Sequence, residues 1–197
     1  RIIQNLQVRK GQELQLDKNN IEYWIRKAFA LHDEIAKVEA IKELLDLMDS
    51  GEAKMEDGID ELITGIEQES KSGVLSFVWT RLAKMKPDEK IKSLAERELD
   101  NPSADHRRFA LAYLTSVYPE NGRTLYEKML MDNDATVLFE AGKAILPIEP
   151  NLALGLWFSI IGISPHVLGD EIIPEYIAQY ADEDFIYIKY KGEEEKV

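Results

Sequence analysis

Apolar and polar side chains alternate in the first 18 residues of the chain and follow a helical period from there on. Leu6 and Val8, then Leu14 and Leu16, stand on either side of Arg9-Lys10-Gly11, the pattern of a short β-hairpin with a glycine turn. Residues 1–18 thus read as the end of a preceding module. Asn19 with Glu22 three residues later has the form of a capping box, and Ile21, Trp24, Ile25, Ala28 and Phe29 follow at helical spacing. His32-Asp33 interrupts, and a second helix carries Ile35, Val38, Ile41, Leu45 and Met48 on one face before Ser50-Gly51. After a loop over 51–58, Ile59, Leu62, Ile63 and Ile66 mark a third helix, and Val74, Val78 and Leu82 a fourth.

All seven prolines lie beyond residue 86, each at a proposed boundary. Proline fits the first turn of a helix and breaks its interior, so these positions divide the rest of the chain. The spacing predicts helices over 88–99, 104–117, 122–132, 135–146, 151–162 and 165–180, with a bend at Pro174. Two of these helical pairs repeat at an offset of 31 residues: Leu94, Arg97, Leu99, Ala110 and Leu114 match Leu125, Lys128, Leu130, Ala141 and Ile145. Such a period marks an array in which each pair buries its apolar face by stacking on its neighbours. The expected fold is all-α, a HEAT-like superhelical array of antiparallel helix pairs over 19–190. A short N-terminal β-hairpin precedes it and an acidic tail over 191–197 follows.

Composition narrows the function classes. The chain of 197 residues has 37 acidic against 24 basic side chains, a formal charge of -13 that repels phosphate backbones and anionic lipid. The basic residues form no stripe: Arg107 and Arg108 are adjacent, while Lys84, Lys86, Lys90 and Lys92 are diluted by Asp88 and Glu89. Nucleic acid is therefore not an expected partner. Cysteine is absent, which removes disulfides and thiolate metal sites and leaves the compartment open. The apolar run from Leu152 to Ile163 is shorter than the roughly 20 residues of a membrane span, so a buried helix is expected.

Candidate chemistry is sparse. The three histidines, His32, His106 and His166, form no His-Glu-x-x-His and no other pair at metal-ligand spacing, so no metal or cofactor is expected within this chain. Nucleophile elbows, phosphate-binding loops and dinucleotide fingerprints are missing too, which leaves no catalytic candidate. Trp24, Trp79, Trp157, Tyr113, Tyr126 and Tyr176 occupy helical positions that suit core packing better than a binding groove. The turns Asp100-Asn101-Pro102 and Asp132-Asn133-Asp134 offer short polar caps to the helices that follow. Arg107 and Arg108 stand near a helix start, where the macrodipole disfavours cations. Either they pair with Asp100, Asp105 or an acid of the neighbouring repeat, or they form an exposed spot that binds a carboxylate or peptide.

One junction carries a resemblance to a known family. Leu14-Gln15-Leu16-Asp17-Lys18-Asn19-Asn20-Ile21-Glu22-Tyr23-Trp24-Ile25, followed by Ala28 to Ile35 and then Lys37-Val38-Glu39-Ala40-Ile41, is similar to a boundary in zinc aminopeptidases of the aminopeptidase-N family. There a β-sandwich strand leads into the C-terminal helical domain. The repeat, the Glu149-Pro150 turn and the Tyr176 to Phe185 ending resemble that domain as well. The resemblance implies a non-catalytic domain that scaffolds a preceding catalytic domain and covers its peptide cleft. Zinc is then expected only in that preceding domain, because the family's His-Glu-x-x-His and Gly-x-Met-Glu-Asn motifs have no counterpart here. Arg1 in place of a methionine and the orphan hairpin fit a C-terminal piece. The alternatives are a free-standing HEAT-like interaction module and an acidic inhibitor or immunity-type protein directed at a basic partner.

Overall fold

The structure is a computed structural model that describes residues 20–163. Over these residues the chain is all-helical, with nine α-helices and two single 3-10 turns. The expected β-hairpin over 1–18, the helix over 165–180, Tyr176 and the tail over 191–197 lie outside the described residues.

The helices are α1 (Ile21–Phe29), α2 (Glu34–Asp49), α3 (Ile59–Gln68), α4 (Ser72–Leu82), α5 (Glu89–Glu98), α6 (Ala104–Val117), α7 (Gly122–Met129), α8 (Ala135–Ile145) and α9 (Pro150–Ile163). They group into two compact units, one ending at Asp100 and the other beginning at Asn101. In the first unit α1 packs on α2 and α3, α2 on α4, and α3 on α5. In the second, α8 packs on α6, α7 and α9.

Local chemistry sets most boundaries. Asp33, Asp88 and Asp134 are N-caps whose carboxylates accept backbone N–H groups from the first turns of α2, α5 and α8. Gly51, at φ +75°, turns the chain after α2 in a conformation glycine adopts without a Cβ clash. Pro119 opens a 3-10 turn before α7, and Pro150 is the first residue of α9. At the start of α1 the cap is Asn20, with no side-chain hydrogen bond, and Asn19 lies outside the described residues. The helix expected to reach residue 132 ends at Met129, because Asp132 accepts the Asp134 N–H and so belongs to the turn before α8.

Burial follows the repeat. At an offset of 31, Ile91, Leu94, Ala95 and Glu98 of α5 match Gly122, Leu125, Tyr126 and Met129 of α7, and all eight are buried. At the same offset His106, Ala110, Leu111, Tyr113 and Leu114 of α6 match buried Val137, Ala141, Gly142, Ala144 and Ile145 of α8. Leu130 departs from the pattern: its partner Leu99 is buried, while Leu130 itself is exposed beyond the end of α7. A second register, offset by 34, links Ala40, Ile41, Leu44, Leu45 and Met48 of α2 to Val74, Leu75, Val78, Trp79 and Leu82 of α4.

The α2 face differs from the expected one. Ile35 is 72 % exposed, and the buried stripe begins with Lys37. Helix geometry requires the choice: a stripe through Ala40, Ile41, Leu44, Leu45 and Met48 extends back to residue 37 and leaves residue 35 on the far side. The tryptophans take the expected core role. Trp24, Trp79 and Trp157 are buried, as are Tyr113 and Tyr126.

Candidate functional site

Arg107 and Arg108 occupy the first turns of α6 in the second unit. The Arg107 guanidinium grips Asp132 through two bonds, Nε to Oδ2 at 2.7 Å and Nη2 to Oδ1 at 2.9 Å. Its Nη1 donates to the carbonyls of Asn101 and Pro102 at 2.9 and 3.0 Å. Both partners of the ion pair are largely enclosed, with side chains 13 % and 7 % exposed. The Asp132 hydrogen bond raises Arg107 further above its already high pKa, more than burial lowers it. The carboxylate held by Arg107 thus comes from the turn inside the next helical pair, between α7 and α8, an acid of the neighbouring repeat that the spacing left open as a partner.

That turn is built on a repeated element. Asn101 Oδ1 accepts the Ser103 N–H, and 31 residues later Asp132 Oδ1 accepts the Asp134 N–H, each at 2.9 Å. Asp134 then caps α8: its Oδ1 accepts from the Thr136 N–H at 2.9 Å, the Thr136 hydroxyl at 2.5 Å and the Val137 N–H at 3.3 Å. Burial raises the Asp134 pKa, but these hydrogen bonds and the Arg107 charge together outweigh it and hold the carboxyl below its ordinary value. Arg108 points elsewhere. Its Nε donates to Asp105 Oδ1 at 2.9 Å, and its guanidinium lies 4.3 Å from the centre of the Phe109 ring.

In the first unit a different set of polar residues surrounds a cavity of about 390 Å³, which sequence spacing did not reveal. It lies among the end of α1, the α1–α2 turn, α3 and the α3–α4 connection. At its wall Lys37 Nζ donates to Glu69 Oε2 at 2.6 Å, with the two side chains 11 % and 3 % exposed. Glu69 Oε1 accepts the N–H groups of Ser70 and Lys71 at 2.9 and 2.8 Å, so one carboxylate both neutralises a buried ammonium and ties the chain entering α4. Lys37 has the sequence signature of a helix-surface lysine; only its partner 32 residues away makes its burial tolerable.

Among the described residues no group of three or more His, Cys, Asp or Glu is placed to hold a metal ion. No helix among them is long and apolar enough to cross a membrane. Compared with models of protein families, with curated proteins and with solved structures, the chain matches none.

Proposed function

We propose that this chain is a HEAT-like helical module that serves as the non-catalytic C-terminal domain of a zinc-aminopeptidase-like protein, scaffolding and covering the peptide cleft of a preceding catalytic domain. The observation that carries the repeat reading is the common burial register of α5 with α7 and α6 with α8, position by position at an offset of 31. Independent helices of a bundle have no reason to bury equivalent positions at one fixed offset; stacked copies of one unit do. The first unit adds support. Asp60 pairs with Lys90 and Glu67 with Arg97, both 30 residues apart, so α3 and α5 run side by side in the same direction, as equivalent helices of successive repeats do.

The step from repeat module to peptidase domain rests on the resemblance at the Trp24 junction and in the Lys37-Val38-Glu39-Ala40 segment. Trp24 and Ile25 are buried in α1, which suits a helix that anchors the start of a domain. In this reading the chain supplies shape, and zinc and chemistry belong to the preceding domain. Purified chain is expected to leave aminoacyl anilides intact and to retain no stoichiometric zinc after dialysis. Zinc-dependent hydrolysis by the chain itself would place the chemistry here and overturn the assignment.

A further inference from the structure

The cavity in the first unit has three properties that together define a ligand. The first is an underused cation. Lys37 Nζ carries three N–H donors, and one of them meets Glu69; among the described residues the other two have no partner. Glu69 has little left to offer, since its second oxygen is taken by two backbone N–H groups. A nearly buried ammonium in this position gains from any acceptor that enters the cavity.

The second property is the local charge. Among the residues lining the cavity Arg26, Lys37 and Lys71 face Glu61 and Glu69, three cations against two anions, with Arg26 also 3.9 Å from Glu22 on its own helix, in a chain whose overall charge is -13. His32 and Gln68 add further donor capacity. The third is the apolar wall. The Phe29 ring lies against Gly65 so closely that a Cβ at that position would come within 2.4 Å of it. Glycine lets the ring sit flat on α3 beside the donors.

We propose that this cavity binds a small organic anion, with its carboxylate or phosphate group on Lys37, Arg26 and Lys71 and a compact apolar body against Phe29. The volume of about 390 Å³ is at the lower end of small-molecule sites, which limits the ligand to a compact metabolite and excludes a folded partner. Carboxylate and phosphate share the recognition chemistry, both accepting charge-assisted hydrogen bonds from Lys and Arg. The site is independent of the proposed role beside a peptidase domain, so either can fail without the other.

Amide and imidazole NMR shifts of the full chain, titrated at constant ionic strength with inorganic phosphate, citrate, benzoate and phenyl phosphate, test this proposal. At least one anion is expected to shift Gly65, Gln68, Lys71 and His32 saturably, with Kd below about 10 mM. Benzoate or citrate binding without phosphate identifies a carboxylate ligand, and the reverse a phosphate ligand. Arg26 and Lys71 are exposed, so Arg26→Ala with Lys71→Ala is expected to weaken binding about tenfold or more while leaving the melting temperature unchanged. Absence of saturation with all four anions overturns the proposal. So does an equal response to choline chloride, or undiminished affinity in the double variant.

Discussion

Arg107 makes four hydrogen bonds, two to Asp132 in the turn before α8 and two to carbonyls of the turn before α6, and they make this residue costly to remove. Arg107→Ala would leave the enclosed Asp132 carboxylate without its counter-charge, a loss of about 3 kcal/mol measurable by urea denaturation. Arg107→Lys is expected to recover less than half of it, because an ammonium cannot reproduce the two-point grip. Recovery to wild-type stability would show that charge alone matters there. Asp134→Ala is expected to cost about 1 kcal/mol through the lost α8 cap. The wild-type contribution is also pH-dependent. Asp134 has a folded-state pKa below the ordinary 3.8, so the ionised form favours the fold. The stabilisation is complete above about pH 5 and is lost as pH falls through 3.8 toward the folded value. Asp46 has the same sign: Lys42, and to a smaller degree Arg81, lower its pKa against the effect of burial. Its side chain is 41 % exposed, so solvent screening leaves it the smaller share of the acid sensitivity. The difference in stability between wild type and Asp134→Ala should therefore shrink in acid; a constant difference from pH 7 to pH 3 would contradict the linkage.

Helix limits were legible where a local signal sets them. The Asp132-Asn133-Asp134 turn was read as a cap and Asp134 caps α8, and proline spacing placed α6, α8 and α9 to within a residue or so. Facing was less legible. Ile35 looked like a core residue and is exposed, while Lys37, which was not among the residues of the expected face, is buried, because the decisive partner, Glu69, lies on a later element. The same limit applied to Arg107: its spacing from nearby acids offered several partners, and only the folded turn at Asp132 selects one. Two glycines test the packing between elements. A Cβ at Gly142 of α8 would lie 2.1 Å from Nε1 of Trp157, a fully buried ring whose N–H donates to the Phe139 carbonyl at 3.2 Å. Gly142→Ala is expected to lower stability by about 1–3 kcal/mol by forcing α9 away from α8. In α9 itself a Cβ at Gly155 meets nothing within 4 Å, so Gly155→Ala is expected to be neutral or to add up to about 1 kcal/mol through helix propensity. Thermal unfolding of the two variants checks the contrast; equal shifts would mean that α8 and α9 are not packed as described.

For the molecule as a whole, the 31-residue offset was visible in the sequence because apolar helix positions carry it, and burial follows the same offset across α5 to α8. The register linking α2 to α4 was harder to see, since its offset is 34 and its matched side chains differ in size, as in Leu45 against Trp79. Function is the less legible layer. In the proposed reading the module acts by shape and needs no reactive residues, and the resemblance at the junction around Trp24 is what suggests a peptidase. The most direct measurement of that connection is the nucleotide sequence of the gene upstream of the Arg1 codon. The account predicts an uninterrupted reading frame that encodes a β-sandwich and, before it, a domain with His-Glu-x-x-His. An initiating codon immediately before Arg1, or an upstream frame without that zinc motif, would contradict it.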